Sequence, residues 1–358
     1  MEQFQNALGM LDLMQQPAFC VQGGTIIRVN PAAAAFLIET GADVQPLLYT
    51  GAEEYASFSG GCLYLTLSIA GHRIGASVVR MQEFDVFTLE REEADVQLQA
   101  LALAARELRE PLSGVMTIAD KYFSAAELNG KELEQAERIN RGLFRMLRII
   151  GNMSDAGCYS TDTGAQLEIR DISRVLNEVF HNAATLTART DITLHYSGFP
   201  ESVYTLVDAQ KLERMVFNIL SNSIKFTPAG GSVTAKLTRR GCRMYLSVCD
   251  SGCGIPENLR GSIFSRYTRE PGLEDSRYGL GLGMVLIRSV AALHGGTVLI
   301  DHPQNSGTRI TISIAIRQGE AVLRSPKLRI DYAGERDHGL IELSDVLPPC
   351  LYDPEIVN

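Results

Sequence analysis

Tryptophan is absent from the 358 residues, and histidine occurs only six times. No apolar run approaches the roughly 18 residues that a membrane-crossing helix needs, which excludes membrane insertion as an expectation. The opening Met1-Glu2-Gln3 lacks the basic start of a signal peptide, so a soluble, cytoplasmic protein is expected. Basic residues are outnumbered 33 to 42, giving a formal charge of -9 with no positive stripe, so a nucleic-acid partner is not expected. The seven cysteines are odd in number and scattered, without zinc-type pairing to histidines, and a reduced compartment suits them. Cys249 and Cys253 read as small buried hydrophobes. What is present is a 45% apolar composition in a chain too long for one core, so two or three domains are expected.

Residues 1–90 read as a small mixed domain. An amphipathic opening (Phe4, Leu8, Leu11) leads into the apolar run Ala18-Phe19-Cys20-Val21, and Gly23-Gly24 turns the chain into Thr25-Ile26-Ile27-Arg28-Val29. Asn30-Pro31 is a helix-start signal, and three strand-like runs follow at 63–69, 74–79 and 84–89. This order, with Val29-Asn30-Pro31-Ala32-Ala33 at the strand-to-helix junction, resembles a PAS sensor domain.

Residues 91–157 change period. Leu98, Leu101, Ala105, Leu108, Leu112, Val115 and Ala119 alternate spacings of 3 and 4, and so do Ala136, Ile139, Leu143, Met146, Ile150 and Met153 beyond the break at Asn129-Gly130. Two helices with a heptad seam form a hairpin, and a homodimeric four-helix bundle is the simplest way to cover it.

Residues 165–316 mix helical and strand patterns. Helices are expected at 172–189, from Ala209 onward and at 283–294, with strands at 193–196, 204–207, 232–238, 243–249, 297–301 and 309–314. That makes an α/β sandwich with helices on one face of a largely antiparallel sheet. The stretch from Asn218 to Thr227 places Asn218, Asn222 and Lys225 on one helical face, opposite Val216, Ile219, Leu220 and Ile224. A carboxamide oxygen can ligate a hard cation and an ammonium can neutralise phosphate. A strand then ends in Asp250-Ser251-Gly252-Cys253-Gly254-Ile255-Pro256. A carboxylate at a strand end can accept from an exocyclic amine, and the glycines let backbone pass close to a flat ring. Gly279-Leu280-Gly281-Leu282-Gly283 opens a helix that runs to His294-Gly295-Gly296, exposing amides and a helix dipole to an anion, and Gly307-Thr308 adds another close approach. The missing strand before these glycines argues against a Rossmann or Walker fingerprint.

Taken together these segments resemble the ATP-binding domain of sensor histidine kinases, within the wider group that includes gyrase-type ATPases. Asn218 and Asn222 match the N box, and Asp250, Gly252 and Gly254 the first glycine box. Phe264 matches the phenylalanine box, and Gly279, Gly281 and Gly283 the second glycine box. The resemblance implies Mg-ATP as cofactor: Asn222 on Mg2+, Asp250 on the adenine amine, Lys225 on the phosphates, Thr308 at the same pocket, and 266–282 as a lid. It also implies a response regulator receiver domain as partner. The ATPase branches carry a glutamate where this chain has Asn218, and a carboxamide cannot act as a general base, so free-standing hydrolysis is disfavoured.

One position departs from the pattern. Histidine kinases place a motif like His-Glu-Leu-Arg-Thr-Pro-Leu on the first bundle helix. Here the chain reads Arg106-Glu107-Leu108-Arg109-Glu110-Pro111-Leu112, and none of its six histidines lies between 91 and 157. Glu107 matches the family's catalytic glutamate, but Arg106 occupies the acceptor position and Glu110 that of the threonine. A guanidinium stays protonated and has no lone pair for attack.

The expected architecture is therefore α+β and multidomain: a PAS-like sensor (1–90), a dimerising helical hairpin (91–157), an α/β sandwich ATP-binding domain (165–316) and a C-terminal extension (317–358). Two functions are open. One is a sensor histidine kinase of two-component signalling that does not phosphorylate itself at the usual place. The other is a pseudokinase scaffold, binding ATP without transfer and regulating a partner.

Overall fold

The computed structural model describes residues 11–81, 83–90, 93–158, 165–256, 263–264, 281–303, 307–317 and 336–357. The opening around Phe4 and Leu8, a strand expected at 328–331, Gly279 and nearly all of 266–282 lie outside the described residues.

The first unit comprises β1 (Ala18–Gln22), β2 (Thr25–Val29), α1 (Pro31–Ala34), a 3-10 turn (Gln45–Leu47), α2 (Ala52–Ser57), β3 (Cys62–Ile69), β4 (His72–Arg80) and β5 (Asp85–Leu89). Its strands run in the order β2-β1-β5-β4-β3. Asn30 explains the turn into α1. Its buried Oδ1 accepts the amides of Ala33 at 2.9 Å and Ala18 at 3.0 Å, while Nδ2 donates to the Gln16 carbonyl at 2.8 Å. One carboxamide thus caps a helix and ties it to the start of β1.

The hairpin is α3 (Glu93–Ala125), which continues through Pro111, and α4 (Gly130–Cys158). Asn129 starts α4 with a capping box: its Oδ1 accepts the amides of Lys131 at 3.1 Å and Glu132 at 3.2 Å, and Glu132 Oε2 accepts the Asn129 amide at 3.0 Å. The apolar seam divides. Leu98, Ala105, Leu112, Ala136, Leu143 and Ile150 are buried where the helices meet. Leu108, Val115, Ile139 and Met146 remain 46% to 53% exposed.

The third unit contains β6 (Glu168–Asp171), α5 (Ile172–Thr187), β7 (Thr193–Ser197), β8 (Tyr204–Val207), α6 (Ala209–Phe226), β9 (Ser232–Arg240), β10 (Arg243–Asp250), α7 (Leu282–Leu293), β11 (Val298–Asp301) and β12 (Arg309–Ala315). β10 is central and alternates outward and inward along its length, as a strand with one packed face must. β7 joins β9 in parallel, while β6 and β8 form a separate two-stranded sheet.

Nothing in the sequence foretells the junction between the first and third units. β3 pairs antiparallel with β11, Tyr64 opposite Val298 and Cys62 opposite Ile300. The result is one sheet of ten strands, β2-β1-β5-β4-β3-β11-β12-β10-β9-β7. Two edges that would otherwise expose unpaired amides and carbonyls satisfy each other.

After β12, the chain returns as α8 (His338–Glu342), a 3-10 turn (Pro349–Tyr352) and α9 (Pro354–Val357), packed on α4 and α6. The prolines do keep these elements short. Among the described residues no helix is long and apolar enough to cross a membrane.

Candidate functional site

Asp208 begins α6, its Oδ1 accepting the Lys211 amide at 3.1 Å. The helix buries Leu212, Met215, Val216, Ile219 and Leu220 against the sheet. Of the three polar residues on its other side, Asn222 and Lys225 are partly exposed, whereas Asn218 is buried at 2% exposure. Asn218 Nδ2 donates back to the Arg214 carbonyl at 2.9 Å, which leaves Oδ1 facing α7.

β10 delivers Asp250 to the same region. Asp250 Oδ1 accepts the amides of Gly252 at 2.9 Å and Thr308 at 3.0 Å, and Ser223 on α6 also bonds its carboxyl. The Asp250 amide in turn donates to the Thr308 carbonyl at 3.0 Å. Burial pushes this carboxyl above the ordinary aspartate range, while the bonds from Gly252, Thr308 and Ser223 and the nearby His302 pull it back. Gly307, with φ of 94°, lies so close to Asp250 that a Cβ would sit 1.9 Å from its carbonyl oxygen, so no side chain fits. Gly254 packs beside Gly307, and Gly252 against the Phe226 carbonyl at the end of α6.

α7 approaches from the opposite side. Gly281 caps it in a left-handed conformation, and its first turn holds no acidic residue to occupy the positive end of the dipole. A Cβ added to Gly283 would stand 3.3 Å from Asn218 Oδ1 and 3.9 Å from Asn222 Nδ2. The bare glycine therefore keeps a cradle open between α6 and α7.

Phe264 is buried at 2% exposure, its ring 5.6 Å from that of Tyr64 on β3 and its carbonyl accepting from Arg288 Nη1 at 2.5 Å. Arg106 and Glu107 belong to α3 and are exposed, as is Glu110. The structure thus brings together Asn218, Asn222, Asp250, Gly252, Gly254, Gly283 and Thr308, and sets Phe264 under the first unit. Ser223, His302 and Arg214 were missed by sequence reasoning. Ser223 adjoins Asn222 and was legible in principle, but a serine inside a helix carries no signal of its partner. The pairing of Cys249 and Cys253 as buried hydrophobes is corrected: Cys249 is half-buried beside Arg309 and Cys253 is exposed on the loop. Cys249 falls on the part-exposed face of the alternating strand β10, and Cys253 lies beyond the strand end.

Residues 207–318 match the sequence family described as histidine kinase-, DNA gyrase B-, and HSP90-like ATPase. Over these residues the chain is similar to the ATP-binding domain of histidine kinases. Its ATP-binding domain spans α6, the Asp250 loop and α7. Relatives include the sensor histidine kinase TmoS of Ectopseudomonas mendocina, 26% identical over 71% of this chain and 26% of that protein. The histidine protein kinase DivJ of Caulobacter vibrioides is 27% identical over 63% of this chain and 38% of that protein. The chain thus spans less than half the length of these two kinases. Among solved structures, full-length ShkA in complex with AMPPNP is 22% identical, with a TM-score of 0.49 over 62% of this chain and 46% of that one.

Proposed function

We propose that this histidine kinase-family protein binds Mg-ATP and works in cytoplasmic two-component signalling, without phosphorylating itself at the usual position on α3. The clasp around Asp250, joined through Ser223 to the helix that also carries Asn218 and Asn222 beside Gly283, carries the reading. Asp250 is a buried acceptor whose Oδ1 is already held by two backbone amides, so its direction is fixed for the amino group of adenine. The N-terminus of α7 suits the triphosphate, and the part-exposed Lys225 in the last turn of α6 is the ammonium proposed to neutralise it. Asn222, partly exposed beside the Gly283 cradle, can turn its carboxamide oxygen toward a hard cation, so these residues fit Mg2+. Bound ATP supplies the transferable phosphoryl group; the residues here position it and neutralise its charge. Buried Asn218 offers no general base, which disfavours plain hydrolysis.

The exposed Leu108, Val115, Ile139 and Met146 support homodimerisation through the hairpin. The strand order β2-β1-β5-β4-β3 supports a PAS-like sensor in the first unit, and a response regulator receiver domain is the expected partner. A second reading is favoured by one observation. Arg106 and Glu110 are both exposed and replace the acceptor histidine and the threonine, which suits a scaffold that reports ATP occupancy by its conformation.

Purified protein incubated with labelled ATP tests the proposal. No acid-labile label is expected on the hairpin, and its presence there would overturn the claim. Arg106→His then separates the readings: a labelled histidine shows a competent domain that lost only its acceptor, while an unlabelled variant that still binds ATP supports the scaffold.

A further inference from the structure

The C-terminal segment 336–357 takes no part in the nucleotide site, and it carries a cluster of buried charge. Glu342 on α8 is fully buried. Its carboxylate meets Arg214 Nε at 3.0 Å and Arg148 Nε at 3.5 Å, one guanidinium from α6 and the other from α4. Asp345 adds a second contact to Arg148 at 2.7 Å and one to Arg145 at 2.6 Å. Arg214 is completed by Asp155 and by Asn152 Oδ1 at 2.8 Å, both on α4. The segment is also packed. Tyr352 is fully buried, its ring 5.3 Å from Phe144 and edge-on to it, and its carbonyl accepts from Asn140 Nδ2 at 3.1 Å. At its start, Arg336 pairs with Asp120 on α3 at 2.5 Å and Gly339 lies against Leu186 on α5.

Arg148 and Arg214 are each only 6% exposed. Buried guanidiniums are tolerated only when paired, and both carboxylates of Arg148 come from this segment. Removing the segment would strip Arg148 of both these carboxylates and take Glu342 from Arg214, which would keep its pair with Asp155. Water entering the vacated space would hydrate both guanidiniums and screen the Arg214–Asp155 pair that ties α6 to α4. Arg214 also reaches Asp155 and Asn152 of α4 directly, and the seated segment reinforces that contact because Glu342 bridges Arg148 of α4 and Arg214 of α6.

We infer that residues 336–357 form an intramolecular strap that locks the ATP-binding domain against the second hairpin helix, with Glu342 as its fastening. When the strap is out, the domain carrying Asn218 and Asn222 swings free of the hairpin; when it is in, the two move as one body. The device acts whether or not the site holds ATP, since none of its contacts involves a nucleotide-facing side chain.

Hydrogen exchange on the full chain tests it, with wild type beside Glu342→Gln, Arg148→Met and the double variant. Glu342→Gln should speed exchange at least about tenfold in α8, in residues 140–158 and in the first turns of α6, with β1 to β5 unchanged. Arg148→Met removes the charge that Glu342 compensates, so the double variant should open by less than the two single effects combined. Acceleration spread evenly over the whole chain would make Glu342 an ordinary core residue. No acceleration in α4 and α6, or strictly additive effects, would make the segment a passive cover; each of these results overturns the strap.

Discussion

His294 Nε2 accepts the backbone amide of Asp208 at 3.0 Å, joining the end of α7 to the residue that caps α6. Its other nitrogen, Nδ1, lies 2.7 Å from the Val290 carbonyl and so donates to it. The two contacts admit a single neutral tautomer, because a proton on Nε2 would point at an N–H. Burial is the main cause holding the imidazole below its ordinary value of 6.5.

This depressed pKa has a definite sign. The stability it contributes is complete above the unfolded value of 6.5 and is lost as pH falls toward the folded value. The denaturant midpoint of the protein should thus fall on acidification below about 6.5, and His294→Gln should flatten that part of the curve. An unchanged slope in the variant would remove His294 as the cause.

Asp250→Asn should weaken binding of a non-hydrolysable ATP analogue. An amide at this position can turn an NH2 toward the amides of Gly252 and Thr308, or toward the ligand's own donor, where only an acceptor is tolerated. Loss of a hydrogen bond to a charged group costs about 1.5–3 kcal/mol, roughly ten- to over a hundredfold in affinity. Calorimetry reads this directly, and equal affinity would refute the adenine assignment.

Glu90, at the end of β5, pairs with the buried Arg288 of α7, whose side chain is 3% exposed. Arg288 also lies over the Tyr64 ring at 5.4 Å and donates to the Phe264 carbonyl. Glu90→Gln should leave this guanidinium undercompensated and destabilise the β3–β11 junction by about 3 kcal/mol or somewhat less, since Glu90 is partly hydrated. The expected readout is faster hydrogen exchange in β3 and β11 with β9 and β10 protected. Equal protection in all four strands would show that the ion pair does not hold the junction.

If the hairpin dimerises as proposed, Val115→Glu and Met146→Glu together should shift the protein from dimer to monomer in sedimentation. Both side chains are about half exposed in the single chain, so charges there cost nothing until a second copy covers them. A dimer of undiminished affinity would move the interface elsewhere.

Much of this protein was written locally. The heptad spacing from Leu98 to Met153 specified two helices, because the period of apolar residues must match that of the backbone. Tyr204–Val207 formed as the alternation predicts, and Asn30-Pro31 started a helix because one carboxamide can cap and one proline can open it. Asn222, Asp250, Gly252 and Gly283 were legible as chemistry since close backbone approach and fixed acceptors demand particular residue types. Other features depend on partners distant in sequence. Which half of the hairpin seam stays open, that β3 completes the sheet at β11, and that Glu342 seats between Arg148 and Arg214 were decided by tertiary packing. An edge strand or a buried carboxylate leaves no periodic trace, because its stability comes from a neighbour nearly two hundred residues or more away in the chain.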